Sequence, residues 1–216
     1  MAAEPRFHIE PDLILAILLM ALAGFIATIG FLRLGGYFVS FMSGNSTHLA
    51  TDWALGDVAG ALRAGTLVAV FVGGVFVGSL LTHGFPNWHR PAILWIDAAL
   101  LALVAAGVPS GGDGVWPLAA AMGLQNSLLH RTPAGSVGRT YVTGVLVHLG
   151  ASLAETVVKP SWAWLPHAVM WLALMIGAIT GALAFAGLGL AGLYFAVCGD
   201  LALAAGVSFN LLPRRS

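Results

Sequence analysis

The sequence predicts an all-α integral membrane protein. Three observations carry the prediction: an apolar composition, a series of long apolar stretches, and a similarity between the two halves of the chain. Hydrophobic residues make up 59% of the 216 positions and charged residues only 8%, whereas soluble domains carry about 25% charged residues. A chain this poor in charge has too little polar surface for an ordinary soluble domain. We therefore expect a single membrane domain over residues 1–216, with the lipid bilayer as its surroundings.

Eight apolar or semi-apolar stretches follow one another, and each is ended by Gly, Pro or a charged residue. They cover residues 13–33, 37–56, 65–83, 91–108, 115–130, 138–156, 165–187 and 189–211. Backbone N–H and C=O groups inside a bilayer must be paired within the protein, and the stretches lack the alternation that a membrane β-barrel requires. Each stretch is therefore predicted to be helical.

The charged residues and the cysteine exclude several classes of partner and cofactor. Nine basic and nine acidic residues give a net charge of zero without any basic run, so nucleic acid is not expected as a partner. Cys198 is the single cysteine, which rules out an internal disulfide and a thiolate metal site. Enzyme signatures such as a nucleophile elbow are missing as well. We expect a protein without cofactor or metal, and not an enzyme.

An internal similarity relates two units of four stretches each, residues 13–108 and residues 115–211. Residues 40–44 (SFMSG) match residues 140–144 (TYVTG), and further matches follow after a three-residue shift in a loop. The matched single residues are Gly24 and Gly123, His48 and His148, Gly74 and Gly177, Gly78 and Gly181, and Asp97 and Asp200. These matches predict an internal duplication.

The distribution of Lys and Arg favours six membrane spans over eight. If all eight stretches span the membrane, five basic residues face one side and four the other, which gives no orientation. If the second and sixth stretches return to the side from which they came, the split becomes seven against two, with Arg33 and Arg63 alone on the minor side. Basic residues accumulate on the cytoplasmic side. We expect both termini in the cytoplasm and three spans per unit, which makes the two repeats inverted; the alternative is eight spans with parallel repeats.

Two polar stretches, residues 40–50 and 140–150, lie in otherwise apolar surroundings. Polar side chains in lipid must face protein, water or a ligand. We interpret both stretches as re-entrant or broken elements that meet at a polar centre, where they either line a solute site or simply join helices. The predicted solute-binding residues are Ser43, Gly44, Asn45, Thr47, His48, Gln125, Asn126, Thr143, Gly144 and His148.

Asp97 and Asp200 are the two acids deep in apolar stretches. A carboxylate in hydrocarbon is unfavourable unless it is paired, protonated or hydrated. We interpret the two acids as candidate sites for ion or proton coupling. The alternative is a structural role as neutral acids or at helix ends.

Several motifs together resemble those of the YoaK-like family, a family of small bacterial membrane proteins with a domain of unknown function. The resemblance rests on residues 24–31, 41–45 (FMSGN), 122–126 (MGLQN) and 140–144 (TYVTG). It implies a six-span protein of the bacterial inner membrane. The family pattern usually carries an aspartate where this chain has Ala27, and this departure removes one acid from the predicted polar centre.

The polar centre and the duplication together favour a transporter or channel for a small molecule or ion, with a midplane site at the repeat interface. A non-transporting membrane protein with an assembly or regulatory role is the alternative, and a membrane-embedded enzyme is a third, weaker hypothesis. Exposed small residues also make a homodimer plausible.

Overall fold

The structure is a computed structural model that describes residues 11–108, 114–128 and 142–209. The described residues form eight α-helices and one 3₁₀ turn, Gly189–Gly192. The helices are α1 Pro11–Arg33, α2 Met42–Ala54, α3 Val58–Gly84, α4 His89–Ala105, α5 Trp116–Ser127, α6 Val142–Val158, α7 Leu165–Leu188 and α8 Leu193–Ser208. Each predicted stretch contains one helix, which confirms the all-α prediction for the described part of the chain.

Three segments of the described chain are long and apolar enough to cross a membrane. They are Leu13–Arg33, Val58–Gly84 and Leu165–Ser208, and Val142–Val158 is a shorter apolar helix. The third segment is interrupted between α7 and α8, where Gly189 adopts a φ of 59° that favours glycine and begins the 3₁₀ turn. The interruption agrees with the predicted boundary between residues 187 and 189.

Helices α1 and α7 cross at a contact made by glycines. A Cβ atom on Gly24 would collide with the carbonyl oxygen of Leu174, and a Cβ on Gly177 would collide with that of Ala21. Gly181 lies equally close to the backbone of Phe25. The paired positions increase together along both helices, so α1 and α7 run parallel. Small residues of this kind let helix backbones approach closely without a hydrophobic driving force.

Helices α3 and α5 make a second crossing of the same kind. A Cβ on Gly74 would collide with the carbonyl oxygen of Ala120, and a Cβ on Gly123 with that of Phe71. These two helices also run parallel, because Gly78 approaches Ser127 further along. Gly24 meets the carbonyl of residue 174 and the amide nitrogen of residue 178, whereas Gly123 meets the same two atoms of residues 71 and 75. The two crossings therefore use corresponding atoms.

Helices α4 and α8 pack against each other in opposite directions, as two clusters of core residues show. The first core cluster joins Leu101 and Val104, late in α4, to Leu193 and Ala196, early in α8. The second core cluster reverses this order, because it joins the early α4 residues to the late α8 residues. Its members include Ile93, Leu94, Leu203, Ala204 and Val207. The pair is therefore antiparallel, and the two clusters occupy opposite ends of the helix bundle.

The two core clusters also show at which end of the bundle α1 ends and α3 begins, and at which end α5 ends and α7 begins. The first core cluster contains Ile29 near the end of α1 and Leu67 in the first half of α3. The second contains Leu128 just after α5 and Met170 near the start of α7. The end of α1 and the start of α3 therefore lie at one end of the bundle, and the end of α5 and the start of α7 lie at the other.

The segment between α1 and α3 folds back on itself. Residues 34–41 are non-helical, and Val39 within them is fully buried against Gly30 of α1. Helix α2 then runs antiparallel to the first turns of α3, since Asp52 approaches Gly60 and Leu49 approaches Gly65. A helix of 13 residues is only about 20 Å long. The helix is continuous from Met42 to Ala54. Of the two predicted alternatives for residues 40–50, re-entrant or broken, a broken element is therefore wrong beyond Phe41.

Candidate functional site

The centre of the bundle holds two carboxyl groups, one on each helix of the antiparallel α4–α8 pair. Asp97 is 1% exposed and Asp200 is 0% exposed. Each lies between residues of the first and second core clusters, so both are near the middle of the bundle. The carboxyl groups are close enough to interact with each other. None of their four oxygens forms a hydrogen bond of ordinary geometry with any described group, the other carboxyl included.

Gln125 is a third buried polar side chain near the same level. It is 0% exposed, and neither its oxygen nor its nitrogen has a hydrogen-bond partner among the described residues. It lies on α5, which packs against α4, between Met122 of the first core cluster and Leu128 of the second. An amide that is dry and unpaired costs about 1–3 kcal/mol. Such a side chain is suited to bind a polar group that reaches the centre of the bundle.

Asn45 is also fully buried, but its side chain is satisfied locally. The backbone N–H of Phe38 donates to its Oδ1 at 2.9 Å, and its Nδ2 donates to the carbonyl of Phe38 at 2.6 Å. The rings of Phe38 and Phe41 leave no room for a side chain at Gly44. Asn45 and Gly44 therefore hold the non-helical segment against α2. This geometry favours the helix-joining interpretation of both residues.

The hydroxyl groups of α2 point away from any centre. Ser43 and Thr47 are exposed, and Thr47 donates to the carbonyl of Ser43 within its own helix at 3.1 Å. Ser46 donates to the carbonyl of Met42 in the same way at 2.8 Å. Hydroxyls bonded to the preceding turn are satisfied within their own helix. These exposed hydroxyls are thus separated from the buried side chain of Asn45.

The polar residues of α6 lie on a different side of the bundle. Thr143 and His148 are exposed and Gly144 is half-buried. The His148 ring stacks against His167 of α7 with the ring centroids 5.5 Å apart. Asn126 on α5 donates to the carbonyl of Met122 at 2.7 Å. Residues 140 and 141 of the predicted stretch lie outside the described residues.

The structure does not bring the two polar stretches together. Helix α2 packs on α3 and α6 packs on α7, while the centre is formed by α4 and α8. The predicted single centre, with both stretches meeting at the midplane, is therefore wrong for the described residues. The reason is that Asn45 and the hydroxyls of α2 already have hydrogen-bond partners in the nearby backbone, so they need no partner at the centre of the bundle. The buried polar groups without such partners are Asp97, Asp200 and Gln125.

A polar cluster around Tyr37 was not predicted from the sequence. Its hydroxyl donates to Asp52 at 3.0 Å, its ring lies 4.7 Å from the ring of His48, and the Arg63 guanidinium lies 5.5 Å from the ring centre. Asp57 caps α3 by accepting from the N–H of Gly60 at 2.9 Å. The available signal was the short interval between Asp52 and Asp57, which is typical of a tight helix–helix turn. We name Tyr37, His48, Asp52 and Arg63 the Tyr37 cluster.

An open groove of about 380 Å³ lies between α1, α7 and α8. Its wall includes Gly199 and Leu203, which flank Asp200 on α8, and Thr180 supplies a hydroxyl. That hydroxyl already donates to the carbonyl of Ile176 at 2.8 Å. The groove is otherwise apolar, so its surface matches hydrocarbon rather than water.

The described residues contain no group of three or more His, Cys, Asp or Glu side chains that could hold a metal ion. Transition metals and zinc take several such ligands. Ala27 packs against the first core cluster. The central polar groups are thus the two carboxyls and one amide.

Comparison with known proteins places these features in a family context. Residues 15–206 match the family described as "Protein of unknown function (DUF1275)". The chain is also similar to the UPF0700 transmembrane protein RA0705 of Rhizobium meliloti (strain 1021), with 35% identity over 163 residues. The match covers 74% of this chain and 70% of that protein. No solved structure matches the chain.

Proposed function

Because the chain belongs to the DUF1275 family of membrane proteins, we propose that it transports a small solute across the membrane through a site centred on Asp97 and Asp200. The observation that carries this proposal is the pair of buried, neighbouring carboxyl groups, which have no hydrogen-bond partner among the described residues. Intramembrane acids are rare, and where they occur they mark ion and substrate pathways. Gln125 supplies the donor and acceptor that a polar solute needs.

The proposal includes six spans in two inverted repeats, residues 13–108 and 115–211, with both termini in the cytoplasm of a bacterial inner membrane. Three features support it: the antiparallel α4–α8 pair, the two glycine crossings with corresponding atoms, and the return of the chain to the same level around α2 and α6. Eight spans with parallel repeats would make α4 and α8 parallel. In this topology the segment that contains α2 is re-entrant. The non-helical backbone before α2 is covered by protein at the buried Val39. Non-helical backbone within a bilayer is tolerated only where protein or water covers it.

The Tyr37 cluster gives this topology a direct test. Tyr37 contacts Asp52 and also approaches Gly60, so the beginning and the end of the α2 segment are at the same end of the bundle. Single cysteines at Arg33 and Leu55, in a Cys198→Ala background, are expected to react with an impermeant maleimide from the same side of intact cells. Ser161→Cys, between α6 and α7, is the opposite-side control. Labelling of residues 33 and 55 from opposite sides would refute the re-entrant topology.

Transport itself is tested in proteoliposomes. A panel of amino acids, carboxylic acids, sugars and inorganic cations is first screened for thermal stabilisation of the purified protein, and uptake of the stabilising solute is then measured. We expect Asp97→Asn, Asp200→Asn and Gln125→Ala to reduce uptake to the level of empty liposomes. Glu155→Gln, an exposed acid on α6, is the matched control and should transport normally.

A non-transporting assembly or regulatory protein is the second candidate, and the local satisfaction of Asn45 favours it. This candidate requires only that polar residues join helices. It predicts that no solute stabilises the protein and that no uptake exceeds that of empty liposomes. The same two measurements therefore distinguish the candidates.

A further inference from the structure

The α4–α8 interface also defines the kind of ion that the two aspartates can hold. Asp97 and Asp200 lie at the same level in the middle of the packed, antiparallel α4–α8 pair, within interaction distance of each other, and both are almost fully buried. Two neighbouring carboxylates repel strongly where water is excluded. The charge must therefore be reduced by a bound proton or balanced by a cation.

Within residues 11–108, 114–128 and 142–209, no positive side chain balances the pair. No described Arg, Lys, His or amide group donates a hydrogen bond to an oxygen of either carboxyl. Ionisable residues on the helices packed around the pair lie near helix ends or on exposed faces, and α5 has none. They are Asp12 and Arg33 on α1, Arg63 and His83 on α3, His89 and Arg90 on α4, and Tyr194 and Cys198 on α8. In the described part of the chain, the ionisable group that acts on Asp97 is therefore Asp200.

A metal cation fits this pair poorly. Calcium takes about six to eight oxygen ligands and magnesium demands a near-octahedral shell. The described residues contain no group of three or more acidic, His or Cys side chains for such a shell. A proton needs only the two carboxyl groups, which is the arrangement of carboxyl dyads that share one proton.

We propose that Asp97 and Asp200 share a proton across the α4–α8 interface, and that this proton is the coupling ion of the transporter. The first part stands on the geometry of the pair, whereas the second rests on the proposed function. In the shared state one carboxyl keeps its O–H and donates it to the carboxylate of the other. Release of the proton leaves two facing carboxylates, which must separate or take up a proton again.

Infrared spectroscopy of the protein in lipid nanodiscs tests the sharing of the proton without any transport. The wild-type protein at neutral pH is expected to show the C=O band of a buried protonated carboxyl. That band should disappear in the Asp97→Asn/Asp200→Asn variant and persist in Glu155→Gln. Absence of the band in the wild type, its persistence in the double variant, or its removal by added Na⁺, K⁺, Mg²⁺ or Ca²⁺ would overturn the shared proton.

Two further measurements keep the outcome decisive. If circular dichroism shows that the double variant does not fold, the single variants Asp97→Asn and Asp200→Asn must each shift the carboxyl band. Coupling is then measured as solute uptake driven by a pH gradient and, separately, by a Na⁺ gradient. Uptake that follows only the Na⁺ gradient would overturn coupling to protons. A protonated pair without any uptake would instead retain the shared proton and reject the transporter.

Discussion

Gly74→Ala is expected to destabilise the protein strongly, whereas Gly73→Ala, one residue earlier on α3, should leave it as stable or slightly more stable. A Cβ at Gly74 would collide with the backbone carbonyl of Ala120, which cannot rotate away, while a Cβ at Gly73 meets nothing. Overpacking of this kind costs about 1–3 kcal/mol. In an open helix position the same change gains up to about 1 kcal/mol from helix propensity.

The measurement is the thermal unfolding temperature of each purified variant in the same detergent. Gly177→Ala tests the corresponding crossing between α1 and α7, and Gly187→Ala is its control, because a Cβ at Gly187 also meets nothing. A lower midpoint is expected for Gly74→Ala and Gly177→Ala only. Equal midpoints for all four variants would show that the helices do not cross at these glycines.

Asn45→Ala is expected to release the segment between α1 and α2. The substitution leaves the N–H and C=O of Phe38 without their partners. A fully buried unpaired group costs about 1–3 kcal/mol, and these two groups are partly buried, so each costs less than that. The cost destabilises the short segment 34–41 rather than the whole bundle. A cysteine replacing the buried Val39, which packs on Gly30, should therefore react with maleimide much faster in the Asn45→Ala background.

Ser46→Ala is the matched control for this experiment. Ser46 is the next residue along α2, is exposed, and bonds only within its own helix. The Ser46→Ala background should leave the labelling rate of the residue-39 cysteine unchanged. The same rate in the Asn45→Ala background as in the parent would show that Asn45 does not hold the segment.

The fold could be predicted from the sequence because length and hydropathy determine helices in lipid. The boundary at Gly189 and the start of α7 at Leu165 were predicted within a residue or two. Asp97 and Asp200 were also identified as special, since a buried acid stands out in an apolar stretch wherever its partner lies. Their proximity to each other could not be predicted, because it depends on the direction in which α4 and α8 pack.

The prediction that residues 40–50 meet the second polar stretch at a shared centre was wrong for a related reason. A run of polar residues shows that hydrogen bonds must be made, but not with which atoms. Asn45 uses the backbone of Phe38, seven residues earlier, and the hydroxyls use the preceding helical turn. Sequence alone does not separate these local bonds from bonds to a solute. The Tyr37 cluster was missed because its members are separated by up to 26 positions, from Tyr37 to Arg63.

The glycine crossings have a consequence for how the protein assembles. Helix α1 packs on α7 and α3 packs on α5, so both crossings join the first half of the chain to the second. Neither half can bury its glycine-lined faces by itself, because the helix that covers each face belongs to the other half. A chain divided between α4 and α5 is therefore expected to yield fragments that are degraded when expressed separately and that restore a stable complex when expressed together.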